Sequence, residues 1–314
     1  MIANRVAYGQ AVHDLAALNP KIVVVDADLT NVVNYGPFVK DFPGRYFECG
    51  IAEQNMISVA AGLATCGLTA FAASFSVFTS MRALDQVRNM VCYNSLDVKV
   101  IGTHAGVETG QDGGTHQSVE DMAIMRALPH MHVLAPSTPL ATRKLTKVMA
   151  DTSGPFYMRF GREPNEEFYD ETEQFIIGGS KTLREGDSLT IMACGRMVQH
   201  ALEAAEMLGE KGISARVIDM YSIKPFDNEA VLRAARETAG IVTVEDHSVI
   251  GGLGGAVSEC VTGQTPCRVE RIGINDAFGC SGTYKDLFAH YQLRPQDIFE
   301  KITAFAETLH LCVK

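Results

Sequence analysis

A carboxylate and two aromatic rings set the first chemical possibility. Glu53 opens a predicted helix within Glu48-Cys49-Gly50-Ile51-Ala52-Glu53-Gln54-Asn55-Met56, and Phe75 and Phe78 stand at i, i+3 at the start of the next helical stretch. An acid facing an aromatic wall suits an aromatic heterocycle with a basic nitrogen. The same residues equally suit a plain fold, with the acid favoured by the helix N-terminal dipole and the rings in the core. Further along, Asp112 and His116 lie four residues apart at the end of a glycine-rich loop, with His104 upstream. Two histidines and an acid can hold a metal, but no spacing here is diagnostic, and His116 also suits a place beside a helix cap. Arg159 falls at the end of a predicted strand, where a guanidinium can clamp an anion bidentately or make a surface salt bridge. Asp28 leaves the carboxyl end of another strand, either capping its loop or joining a site, because open α/β sheets place ligands there.

The elements that would position these residues alternate between helix and strand. Arg5–Leu18 has a helical apolar face that Asn19-Pro20 stops, and Ile22-Val23-Val24-Val25 reads as a strand buried on both faces. Arg45–Phe47, Leu68–Ala73, Val98–Gly102, His132–Ser137 and Pro155–Arg159 supply further strands or strand ends. Between them come the Ala/Gly-rich helix Gln54–Cys66 and the helices Ser76–Tyr93, Ser118–Ala127 and Thr138–Asp151. In Ser76–Tyr93, Val77, Met81, Leu84, Val87 and Val91 recur at helical spacing. Glycines leave the loop Ala105–Thr115 no packed element of its own, so a surface position is expected. The acidic stretch Gly161–Gln174 reads as a solvated linker. Beyond it, Leu189–Ala193, Ala215–Ile218, Ile241–Val244 and Arg268–Ile272 alternate with helices such as Val198–Leu208 and Asn228–Ala239. The expectation is an α/β chain: a parallel-sheet domain over 1–165, an acidic linker over 166–182, and a smaller α/β domain over 183–314. Gly251-Gly252-Leu253-Gly254-Gly255 lacks the dinucleotide spacing, and the preceding Glu245-Asp246-His247 would repel phosphate.

Composition narrows the function classes. At 314 residues and 46% hydrophobic, the chain can build two domains with a sizeable core, and no apolar run reaches the length of a membrane span. The start, Met1-Ile2-Ala3-Asn4-Arg5, lacks the pattern of a signal peptide. Eight cysteines (Cys49, Cys66, Cys92, Cys194, Cys260, Cys267, Cys280, Cys312) form no C-x-x-C pair and read as reduced thiols. A formal charge of −10 argues against nucleic acid as a partner. A soluble cytoplasmic protein is expected.

Three blocks carry a family resemblance. Gly50-Ile51-Ala52-Glu53-Gln54-Asn55, Phe75-Ser76-Val77-Phe78 and Gly110-Gln111-Asp112-Gly113-Gly114-Thr115-His116-Gln117 resemble, in order, the pyrimidine-binding domain of the transketolase family. Asp26-Ala27-Asp28-Leu29-Thr30 is similar to a fourth family block, and Asp219–Pro225 with Glu245-Asp246-His247 resembles the C-terminal domain, which is generally structural. The resemblance implies a thiamine diphosphate enzyme. Glu53 would hydrogen-bond N1′ of the aminopyrimidine, and Ile51, Phe75, Phe78, Met81 and Asp28 would complete the cofactor wall. Asp112, His104 and His116 would contact the donor sugar, the histidines also as acid–base groups, and Arg5 with Arg159 would hold an anionic group. The family's diphosphate-binding domain, which carries the Mg2+ ligands, has no counterpart, so the resemblance implies the C-terminal (β) subunit of a split transketolase. Its expected partner is an N-terminal (α) subunit in an α2β2 assembly, and its expected reaction moves a two-carbon ketol unit from a ketose, phosphorylated or not, to an aldose. Met81 replaces a third aromatic, Val32 a phosphate-contacting serine, and Gln111 an acid, which bears on the phosphate and the exact sugar. The rivals are a 2-oxo acid dehydrogenase β subunit, which would show a His-His pair in place of Thr115-His116-Gln117, a deoxyxylulose phosphate synthase-like enzyme, and an idle scaffold homologue.

Overall fold

The computed structural model describes residues 1–311, so Cys312 lies outside the described residues; the other seven cysteines are free thiols. The β-branched run Ile22–Asp26 is buried at every position, as a strand covered on both faces must be. It lies inside a seven-stranded sheet. Across that sheet run Tyr46–Glu48, Ile22–Asp26, Thr69–Phe75, Val98–Thr103, Phe156–Arg159 and His132–Leu134, all parallel. The far edge is Ser222–Lys224, antiparallel and contributed by the second half of the chain. Helices Asn4–Leu18, Glu53–Thr65 and Pro139–Asp151 cover the sheet. The last starts where Pro139 follows Thr138, whose side chain accepts a hydrogen bond from Ala141 N. Gly9 is required where the first helix crosses the Val33 carbonyl, because a Cβ there would collide with it.

The second domain has a five-stranded sheet, ordered Val269–Ile274, Ile241–Ser248, Leu189–Ala193, Ala215–Asp219 and Lys181–Arg184. Only Lys181–Arg184 runs antiparallel. Helices Met197–Glu210, Leu253–Gln264 and Pro295–Thr308 pack on it. The chain is therefore the expected α/β protein, with a parallel-sheet domain followed by a smaller α/β one. In the turn Gly251–Gly252, the Glu245 carboxylate accepts from Leu253 N and Gly254 N at 2.7 and 2.8 Å, filling the helix N-terminus that an anion would otherwise take.

Three local expectations are corrected. Ala105–Gly110 is buried, not on the surface, and Val107–Asp112 forms a tight helical turn between the two domains. The acidic stretch is not a solvated linker throughout: Pro164–Asn165 pairs with Ile2–Ala3, and Phe175 is buried against Tyr221. Ser76–Tyr93 is not one α-helix but carries two π-helical stretches, Phe78–Arg82 and Val87–Cys92.

Candidate active site

The carboxyl ends of the parallel strands open on a cavity of about 340 Å³, where the topology of such sheets places ligands. Glu53 is the first residue of its helix, so the helix dipole favours its charge, and Gly50 at φ 67° turns the chain into it. The side chain is only 2% exposed. Its Oε2 accepts from Arg82 Nη1 at 2.9 Å, and its Oε1 accepts a long bond from Ser74 Oγ at 3.5 Å.

Phe75 ends its strand and Phe78 begins the π-helical turn; their rings stack with centroids 5.9 Å apart and 29° between planes. The His104 ring lies 4.4 Å from that of Phe75, and His116 meets Phe78 edge-on at 5.3 Å. Asp28, at φ 61°, and Ile51 also line the cavity, with Asp28 N held by Glu48 Oε1 at 2.9 Å. The expected acid, aromatic pair and His116 thus share one cavity, with His104 against its aromatic wall.

Met81 does not line it. Arg82 does, its guanidinium 4.0 Å from the centre of the Phe78 ring. The cause is the backbone: Ala83 N donates to Phe78 O, five residues back, so the turn is one residue wider than an α turn. Arg82 was missed because the resemblance pointed to Met81, where the family has a third aromatic.

The anion clamp also needs correction. Arg159 is buried: its Nε donates to Asp121 Oδ2 at 2.8 Å, and its Nη2 faces the carbonyls of Ser118 and Asp246. Its fork is spent on the domain junction, so it is a buried ion pair and not a free clamp. Arg162 takes the open position instead, donating to Thr109 O at 3.1 Å and standing 3.9 Å from Asp112. Arg5 donates to Arg162 O at 3.1 Å and to Val32 O at 2.6 Å. Burial, reinforced by Arg5, Arg162 and His116, pushes the His104 imidazole down to about 3, so it is neutral at physiological pH. Asp112 lies near the loop tip, beside Arg162.

A buried carboxylate at the head of an aromatic-walled cavity fits an aminopyrimidine ring. Among the described residues, no group of three or more His, Cys, Asp or Glu side chains is arranged to hold a metal ion. Nor is any helix among them long and apolar enough to cross a membrane.

Comparison with known proteins identifies the two domains. The transketolase pyrimidine-binding domain matches residues 1–165, and the transketolase C-terminal domain residues 178–298. A putative transketolase C-terminal section from Methanocaldococcus jannaschii is 45% identical over 95% of this chain and 94% of its own length. One subunit of the apulose-4-phosphate transketolase of Phocaeicola vulgatus is 40% identical, covering 98% of each chain. A solved structure described as a split gene transketolase, inactive beta4 tetramer, superposes with TM-score 0.89 at 43% identity over 99% of both chains. With its pyrimidine-binding and C-terminal domains in that order, the chain belongs to the transketolase family.

Proposed function

We propose that this chain is the β subunit of a split transketolase, moving a two-carbon ketol unit from a ketose donor to an aldose acceptor. It is active only with a separate diphosphate-binding α subunit, in an α2β2 assembly. The observation that carries the reading is the Glu53 carboxylate, 2% exposed at the back of a cavity walled by Phe75 and Phe78. The names of the relatives, one a C-terminal section and the other a transketolase subunit, support the split.

Thiamine diphosphate, when bound, supplies the carbanion chemistry that the protein's own side chains lack. Glu53 would hydrogen-bond a ring nitrogen of the aminopyrimidine and hold a proton there, and Phe75 and Phe78 would wall that ring. Ile51 and Asp28 close the same wall. Neutral His104, with its Nδ1 paired to Thr103 Oγ1 at 3.0 Å, has its Nε2 left to meet the sugar. His116, beside the aromatic pair, is the second polar and acid–base contact. Asp112 reads donor hydroxyls, and Arg5 with Arg162 holds an anionic end such as a phosphate. The diphosphate and its Mg2+ fall to the partner subunit.

The test is native mass spectrometry of the tagged chain purified from its own host with thiamine diphosphate and Mg2+, then assays with ketose–aldose pairs and with pyruvate. Equal numbers of a second chain, bound cofactor and ketol transfer are expected. A cofactor-free homo-oligomer from that host, or turnover of pyruvate in place of a ketose, would overturn the proposal.

A further inference from the structure

The loop carrying Asp112 and His116 is held from outside its own domain. Val107 and Val119, at its two ends, are buried in the second domain's core with Ile274, Leu287 and Phe288. Asp246 Oδ1 accepts from Val107 N at 3.1 Å, and Arg196 pairs with buried Glu108. The centre of the loop rests on the segment Gly279–Gly282. Gln117 Nε2 donates to Cys280 O at 2.9 Å and to Gly110 O at 3.3 Å, tying that segment to the loop. The two backbones approach too closely for side chains between them. A Cβ at Gly114 would strike the Gly279 carbonyl, one at Gly113 the Ser281 hydroxyl, and one at Gly279 the Gln117 carboxamide. Within the loop, Gly113 N bonds Gly110 O and His116 N bonds Gly113 O as local turns, Thr109 Oγ1 donates to the carbonyls of His104 and His116, and Gly106 N to Ser118 O joins its two ends.

We infer that Gly279–Gly282 of the second domain positions the substrate loop, with Gln117 as its bolt, and so sets where Asp112 and His116 meet the donor sugar. The inference rests on the reading of this loop as the sugar-binding one. It gives the C-terminal domain a part in substrate recognition beyond packing. Gln117 and the Gly279–Gly282 backbone act through the loop and are positioning groups. A shift of about 1 Å in such a support can cost on the order of 10²-fold in rate.

Two variants loosen the support by different routes. Gly279→Ala drives a methyl into the Gln117 carboxamide, whereas Gln117→Met keeps the side-chain length and removes the carboxamide's hydrogen bonds without adding an atom at any of the glycines. Gly263→Ala, whose Cβ meets nothing within 4 Å, is the control. Hydrogen exchange on the isolated chain should show amides 110–117 exchanging at least about tenfold faster in both variants, with Thr69–Phe75 unchanged. In the complex with its partner, kcat/KM for the ketose donor should fall about tenfold or more, while the Kd for thiamine diphosphate stays within about twofold. Folded variants with wild-type exchange across 110–117 would overturn the inference, and so would unchanged kcat/KM in an active complex. Should Gly279→Ala not fold, Gln117→Met decides alone. A wild-type complex without ketol transfer would refute the enzymatic reading instead, and the exchange data would still decide the positioning.

Discussion

Replacing Glu53 with glutamine separates its chemical role from its structural one. The substitution keeps length, shape and burial and changes one carboxylate oxygen to an amide. The charge lost is paired with Arg82 at 2.9 Å, but the Arg82 side chain is 47% exposed, so water already screens that pair. Its loss should cost no more than about 1 kcal/mol. Arg82 keeps its place over Phe78, and Ser74 still has an oxygen to reach. The melting temperature should therefore move by no more than about 4 °C. The chemistry should respond far more strongly. A charge-assisted hydrogen bond to the pyrimidine is worth about 1.5–3 kcal/mol, which predicts roughly ten- to hundredfold weaker cofactor binding. Loss of a positioned proton-exchanging group should reduce ketol transfer by about 10²–10⁴-fold even at saturating cofactor. Glu53→Asp keeps the charge but withdraws it by one methylene, and should recover only part of the activity. Calorimetric titration of the purified complex with thiamine diphosphate, followed by ketol transfer at saturation, reads both effects. Turnover of Glu53→Gln within about threefold of wild type would refute the reasoning. A fall in melting temperature of more than about 10 °C would instead make Glu53 a structural group.

The two arginines should separate cleanly. Arg159→Met strands Asp121, which is wholly buried, and should cost about 3–5 kcal/mol, seen as a melting temperature lowered by roughly 10 °C. Arg162→Met should leave the melting temperature alone and raise KM for a phosphorylated donor about tenfold or more, with little effect on a donor lacking the phosphate; equal effects on both donors would count against the clamp. The His104 ring resonance should stay that of neutral imidazole from pH 8 to 5, and a midpoint near the free value of about 6.5 would contradict its burial. Because its folded pKa, about 3, lies below the unfolded one, the unfolded chain takes up more protons on acidification. Its contribution is complete above about pH 6.5 and is lost as pH falls towards 3, at about 1.4 kcal/mol per unit. Between pH 7 and 5 the wild type should therefore lose about 2 kcal/mol relative to His104→Asn in chemical denaturation.

Strands with a single strong signal were legible in the sequence, and positions decided by a partner element were not. Ile22–Val25 and Leu189–Ala193 were readable because β-branched or apolar runs of that length have little choice but to be buried strands. Lys181–Arg184 and Ser222–Lys224 were missed because they are short antiparallel edges whose only reason to be strands is the neighbour they pair with. The loop 105–115 was misplaced for a similar reason. Its glycines read as freedom, whereas Gly106, Gly113 and Gly114 are small because Asp246, Ser281 and Gly279 press against them from the other domain. Arg159 and Arg162 differ in the same way, since nothing local distinguishes the guanidinium that Asp121 captures from the one left beside Asp112. Arg82 is the sharpest case, because the resemblance pointed to its neighbour. The family's third aromatic stands one turn after Phe78, at Met81, although an α turn of about 3.6 residues brings Met81 and Arg82 to that face alike. The bond from Ala83 N to Phe78 O widens that turn by one residue and brings Arg82 there instead. A cation that reaches both the Glu53 carboxylate and the Phe78 ring stands where the pyrimidine is expected to lie. Cofactor entry would then require Arg82 to yield its bond to Glu53; its 47% exposure gives it room to turn outward, and the buried Glu53 carboxylate it leaves would take the pyrimidine as its new partner.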